Sequence, residues 1–183
     1  ELQKTNLKAY NAILETEKGS KEYRPTLYDF LAHRAVDFFM NDEASITRPA
    51  ETFDIDKPEY FDPPEDFAGL KFSSADSLAQ KFYALQIMQN LIRFHLNDTD
   101  PEALIDVNLK RLEFVDNQTI IQHKDSLYLN SLNLFEKSHM DAPGSTRISH
   151  AIASELEQQG NKYNPQISAQ NRWKIKKAAE KCR

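Results

Sequence analysis

The chain has 183 residues, 40% of them hydrophobic, and a formal net charge of −5 at pH 7 from 28 acidic and 23 basic side chains. That is a globular composition, and the chain is long enough to bury a core without disulfide or metal staples. Only four glycines argue against barrels and sandwiches, whose many tight turns need positive φ. The acidic balance gives no footprint for a phosphate backbone, so nucleic acid is not an expected partner.

Leu2 to Lys18 places Leu7, Tyr10, Ile13 and Leu14 at helical spacing, with Gly19 where a helix ends. After Pro25, Thr26 can cap a helix whose apolar face is Leu27, Phe30, Leu31, Ala35, Phe38 and Phe39. Asp29, three residues after the cap, completes a capping box. Residues 1–40 thus read as an N-terminal helical pair.

Residues 41–75 carry Pro49, Pro58, Pro63 and Pro64 and lose the helical period, while Phe53, Ile55, Tyr60, Phe61, Phe67, Leu70 and Phe72 recur every few residues. Structureless stretches of this length are uncommon inside a compact domain. This one reads as an ordered, extended aromatic strap across helices, with a short helical turn after Pro63.

From residue 76 to 183 the pattern is helical again. Asp76 to Asn97 carries Leu78, Phe82, Leu85, Met88, Leu91 and Ile92, with Gln89 turned outward. Pro101 opens the next helix, through Leu104, Val107, Leu109, Leu112 and Val115. Asp125 begins another, with Leu127, Tyr128, Leu132 and Phe135, and Asp141-Ala142-Pro143-Gly144 breaks it. Ser145 or Thr146 starts a helix through Ile148, Ile152 and Leu156 that Gly160 closes; Ser168 to Arg183 is the last. The expectation is seven helices, no strand, and short connections that favour antiparallel neighbours.

Ser131, Phe135, Ser138 and Pro143 match the second helix of a tetratricopeptide repeat, and Ala151, Ile152, Ala153, Gly160 and Tyr163 resemble a first helix with its glycine turn. Ala84, Ser131 and Ala178 follow one another at intervals of 47 residues. The ideal period is about 34, so these units would carry insertions. Each hairpin has a face too apolar for water, and stacking hides it against the next.

Chemistry is sparsely represented. Asp29, His33 and Asp37 fall at i, i+4 and i+8 on one side of a helix, a pattern that serves a metal or, more plainly, a polar stripe. His95, His123, His139 and His150 occur singly, without metal-ligand spacing. No serine sits in a nucleophile elbow, and four glycines cannot build a phosphate-cradling loop. Cys182 is the single cysteine, unable to form an internal disulfide or a structural zinc site, and its helical position predicts a buried small hydrophobe. The reading is non-enzymatic, with no catalytic, cofactor-binding or metal residues.

The candidate interaction surface is Tyr60, Phe61 and Phe67 of the strap, which could stack on a sugar or dock a peptide, together with Trp173. For the strap aromatics the competing reading is burial against helices. The basic run Arg172-Trp173-Lys174-Ile175-Lys176-Lys177 reads as the solvated face of a terminal helix. No apolar run approaches the roughly 18 residues of a membrane span, and no signal peptide is present. The chain starts at Glu1 and stops within a helical pattern at Arg183, so both ends read as cuts in a longer protein.

Arg24-Pro25-Thr26-Leu27-Tyr28-Asp29-Phe30-Leu31-Ala32-His33-Arg34-Ala35, running on to Asp37-Phe38-Phe39, resembles the N-terminal helical region of the large alpha-2-macroglobulin-like proteins of Gram-negative bacteria. The likeness continues through Tyr60-Phe61, the Ala84 helix, Asp106-Val107-Asn108-Leu109, Gly160-Asn161-Lys162-Tyr163 and Lys176-Lys177-Ala178. The resemblance implies an exported envelope protein, periplasmic or outer-membrane-anchored, whose relatives trap proteases through other domains. The family's Cys-Gly-Glu-Gln thioester run is absent, so no functional residue carries over. The expected partners are other domains of the same polypeptide or another protein, a protease or envelope component. The expected function is therefore a structural or protein–protein interaction module; the alternative is a carbohydrate- or peptide-binding segment of a helical-repeat receptor.

Overall fold

The computed structural model describes residues 1–14, 19–41 and 52–182. Pro49 of the strap and the Arg183 end of the last predicted helix lie outside the described residues. The protein is all-α: among the described residues there are eight α-helices and no strand, only the isolated bridges Asn6–Thr26 and Ile55–Thr119. The helices are α1 (Ser20–Tyr23), α2 (Leu27–Phe39), α3 (Pro64–Gly69), α4 (Gln80–His95), α5 (Glu102–Gln118), α6 (Lys124–Ser138), α7 (Ser145–Asn161) and α8 (Lys174–Lys181).

The capping box of α2 is present as read: Thr26 Oγ1 accepts from the Asp29 amide at 3.2 Å, and Asp29 Oδ2 accepts from the Thr26 amide at 2.8 Å. The helix predicted before it, Leu2 to Lys18, is absent over its described residues 2–14, and residues 15–18 lie outside the described residues. Leu2–Lys4 and Leu7–Tyr10 are short 3-10 helices, because local and non-local bonds compete with an α-helix. Asn6 takes the Lys8 amide on its side chain. Across the gap, the Leu7 amide donates to Pro25 and the Leu27 amide donates to Thr5 at 2.8 Å. Gly19 does take left-handed backbone, φ 85°, but it leads into α1.

The start of α4 is also later than its periodicity predicts. Asp76 Oδ1 takes the Leu78 amide at 2.8 Å and Ser74 Oγ takes the Asp76 amide at 3.1 Å. These turns hold the chain out of a helix until Gln80, and Leu78 is exposed. Helices α3, α5, α6 and α7 begin within a residue or two of their sequence signals.

From α4 to α8, consecutive helices pack on one another in chain order, α5 also touches α7, and α2 lies against α4. One contiguous core joins Val36 of α2, Leu85 and Met88 of α4, Ile105 and Leu112 of α5, Leu132 of α6, Ile152 of α7 and Ala178 of α8. Strap residues Ile55, Tyr60, Phe61 and Phe67 belong to the same core. Phe53 and Phe72 of the strap pack against Phe82 of α4, with ring centroids 5.5 Å apart for Phe53–Phe82 and 5.8 Å for Phe72–Phe82, and Tyr60 packs in turn on both strap rings. Such pairs add about 0.5–1.5 kcal/mol each beyond their burial.

Two residues bear directly on how the helices meet. A Cβ at Gly160 would sit 2.5 Å from Ile175 Cγ1 and 2.9 Å from the Ile175 backbone nitrogen, so α7 and α8 approach there only because the side chain is hydrogen. Gly160→Ala should therefore cost about 1–3 kcal/mol and loosen α8, read as faster proteolysis after α7; unchanged cleavage and melting would contradict the contact. His123, in left-handed backbone at φ 64° just before α6, lacks the freedom glycine has there. His123→Gly should raise the melting temperature by about 2–4 °C, the equivalent of roughly 1 kcal/mol in a domain of this size.

Candidate functional site

The strap runs over α4, α5 and α6, and polar side chains from those helices receive its backbone carbonyls. Gln89 Nε2 of α4 donates to Phe67 O at 2.8 Å and to Leu70 O at 2.7 Å, and Arg93 donates to Ala68 O. From α5, Arg111 donates to Tyr60 O at 3.0 Å and Asp62 O at 2.8 Å. Just past α5, Thr119 Oγ1 donates to Ile55 O at 2.6 Å; from α6, Ser131 Oγ donates to Phe61 O at 2.6 Å. The end of the short α3 and the irregular backbone around it leave carbonyls without helical partners, and these side chains satisfy them. Gln89 therefore points inward and is buried, contrary to the outward placement read from its helical position.

Arg111 is fully buried, stacks its guanidinium 4.4 Å from the Phe67 ring centroid, and also donates to Asn108 Oδ1 at 2.7 Å. Burial pushes its pKa down to about 9, against the opposing fields of Asp62 and Glu65.

The strap aromatics nominated as a docking surface lie inside. Tyr60 and Phe61 are 2% exposed and Phe67 is 0% exposed, because the carbonyl clamps pull the strap onto the helices and leave its rings no face toward solvent. Trp173 differs: it is 58% exposed, with the Arg172 guanidinium 4.7 Å from its ring centroid. Cys182 is exposed rather than buried: it is the C-cap just past Lys181, beyond the turn of α8 that buries Ala178.

The Asp29-His33-Asp37 row is not brought to one point. Asp37 pairs with Lys110 at the surface. Buried Asp29 meets His95 of α4, whose Nε2 donates to Asp29 Oδ1 at 2.8 Å while its Nδ1 donates to Asp98 Oδ2 at 2.6 Å. Carboxylates only accept, so both ring nitrogens carry protons and His95 is an imidazolium. Burial alone would lower its pKa; the bonds to Asp29 and Asp98 outweigh it and hold it above its usual value. Burial would likewise raise Asp29, and hydrogen bonds from His95 and Thr26 instead hold it low.

His33 faces Asp106 at 3.8 Å, but burial and the Arg24 charge push its pKa down to about 4. Asp106 also takes Arg24 and Arg147, so one carboxylate of α5 ties the end of α1 and the start of α7 together. Asp98 lies only three residues from His95, whereas Asp29 joins it from 66 residues away in the chain, a pairing that sequence spacing does not signal. Among the described residues, no group of three or more His, Cys, Asp and Glu has an arrangement that could hold a metal ion.

Among the described residues, an opening of about 520 Å³ is a groove between α5 and α7 lined by Lys110, Glu113, Tyr128, Arg147, His150 and Ala151, among others. Another, about 300 Å³, lies between the stretches 52–57 and 71–76. One of about 250 Å³, mostly apolar, lies where the strap crosses α5 and α6. Among the described residues, no helix is long and apolar enough to cross a membrane. No protein-family model, curated protein or solved structure matches the chain.

Proposed function

We propose that the chain is a non-catalytic structural or protein–protein interaction module, a tetratricopeptide-like array within a larger alpha-2-macroglobulin-like protein of the bacterial cell envelope. The observation that supports this reading is the groove between α5 and α7. Helices packed in chain order, with α5 also touching α7, leave an open channel carrying both charges, Lys110 and Arg147 against Glu113, beside Tyr128. Such a surface suits a peptide segment or loop of a neighbouring domain. The family and its envelope location rest on the Pro25 to Phe39 motif.

The test is a photo-reactive amino acid placed at Ala151 in the intact parent polypeptide. The proposal expects cross-links to another domain of that polypeptide or to one envelope partner, abolished by Glu113→Lys. Cross-links confined to this segment, or a turnover activity that purifies with it, would contradict the proposal. The carbohydrate- or peptide-receptor reading loses its strap aromatics to the core and retains Trp173 as its one nominated exposed ring.

A further inference from the structure

The charges that line the groove between α5 and α7 are unequally satisfied. Lys110 of α5 pairs with Asp37 of α2. Arg147 of α7 pairs with Asp106 of α5, and its guanidinium carbon lies 4.5 Å from the Tyr23 ring centroid. Both cations of the wall therefore have a carboxylate of their own. Glu113 is exposed on the same wall and forms no ion pair among the described residues.

The spare charge sits at one end. The Asp106–Arg147 contact sets the start of α5 beside the start of α7. Glu113 is seven residues further along α5, about 10 Å at the rise of an α-helix. Tyr128 of α6 lines the groove there and is half-buried. Burial and the fields of Glu113, Asp116 and Glu155 hold its phenol above its ordinary value, so the charges that reach this ring are negative. Asp116 is paired with Lys124; Glu113 has no such partner. No other ring and no guanidinium packs on Tyr128 among the described residues.

We infer that the Glu113–Tyr128 end of the groove receives an arginine side chain of the docked segment, its guanidinium against the Glu113 carboxylate and the Tyr128 ring. A carboxylate and a π-system side by side favour a cation, and the planar guanidinium can pair with one while stacking on the other. Its aliphatic stem would run along Leu109 and Ala151, partly buried apolar residues of the same wall. An acidic side chain would meet an unpaired carboxylate at this end and cations already neutralised at the other. The inference rests on the reading of the groove as a docking channel and adds the chemistry of what docks.

The test is titration of the full chain with three capped tripeptides, acetyl-Leu-X-Leu amide, in which X is arginine, citrulline or glutamate. Citrulline keeps the shape of arginine without its charge. The solution is held at about pH 8, above the ordinary histidine range, because His150 shares the wall. Binding is followed by the amide resonances of Glu113 and Ala151. The expected result is saturable shifts with the arginine peptide at a dissociation constant on the order of 1 mM, with nuclear Overhauser contacts from its δ-methylene to the Tyr128 ring. The citrulline peptide should bind roughly fivefold more weakly, the scale of an exposed ion pair. Glu113→Gln, a change to an exposed side chain, should bring the arginine peptide down to the citrulline level and leave citrulline binding as it was. Equal binding of arginine and citrulline, preference for glutamate, no saturable shift with the arginine peptide, or arginine binding unchanged in Glu113→Gln would each overturn the inference. The docking reading is judged separately, by cross-linking from Ala151: cross-links retained alongside a glutamate preference would leave a docking channel for a segment of opposite charge.

Discussion

Arg111→Ala is expected to lower the unfolding free energy by about 3–5 kcal/mol, the range for removing one member of a buried charged network. The change strands three acceptors at once, Tyr60 O, Asp62 O and Asn108 Oδ1. It also removes the guanidinium stacked on Phe67 and leaves a cavity where a large side chain was fully enclosed. The expected fall in melting temperature is about 10 °C. Arg111→Lys should fall between the two proteins, because an ammonium keeps the charge but cannot reproduce the planar fork that reaches two carbonyls. Urea unfolding of all three distinguishes this account from simple charge loss, under which lysine would restore the native midpoint.

The second large effect is on pH dependence, where His33 and His95 have opposite signs. His33 has a folded pKa of about 4 against an ordinary value of 6.5, so the folded state binds its proton less well than the unfolded state. Its contribution is fully present above pH 6.5 and is lost as pH falls toward 4, about 3 kcal/mol in all. His95 is raised, so its contribution is fully present below pH 6.5 and is lost as pH rises through the folded pKa.

Asp62, Asp116 and Glu155, all raised chiefly by burial, oppose His33 near their own titration and are common to wild type and variant. The difference curve between wild type and His33→Gln therefore isolates the histidine. It should change by roughly 3 kcal/mol between pH 6.5 and 4 and be flat above. A flat difference across the whole range would show that His33 is not held neutral. His95→Gln should instead flatten the alkaline side, at an overall cost, because Asp29 and Asp98 each lose a charged donor.

The legible part of this fold was the part governed by local rules. Thr26 and Asp29 close a capping box over three residues, and Pro63, Pro101 and the Pro143-Gly144 break mark helix boundaries that need no tertiary information. The illegible parts are those in which distant residues decide. The first segment fails as a helix because Thr5 and Leu7 bond to Leu27 and Pro25. Gln89 was read outward from a wheel, yet the carbonyls of Phe67 and Leu70 reward an inward amide. The same holds for the strap. Its spacing of rings announced anchoring but not whether the rings faced a ligand, and Arg111, which settles their position, lies about 50 residues away in sequence. Of the nominated surface, Trp173 is exposed and the three strap aromatics are interior.

Hydrogen–deuterium exchange of the native chain tests most directly whether the strap is core rather than recognition loop. Amides of Tyr60, Asp62, Phe67 and Leu70, each bonded to a backbone carbonyl, should be protected to an extent close to that of α4 and α5, and should lose that protection together in Arg111→Ala. Exchange of this stretch within seconds in the native protein, at the rate of an open loop, would contradict the account.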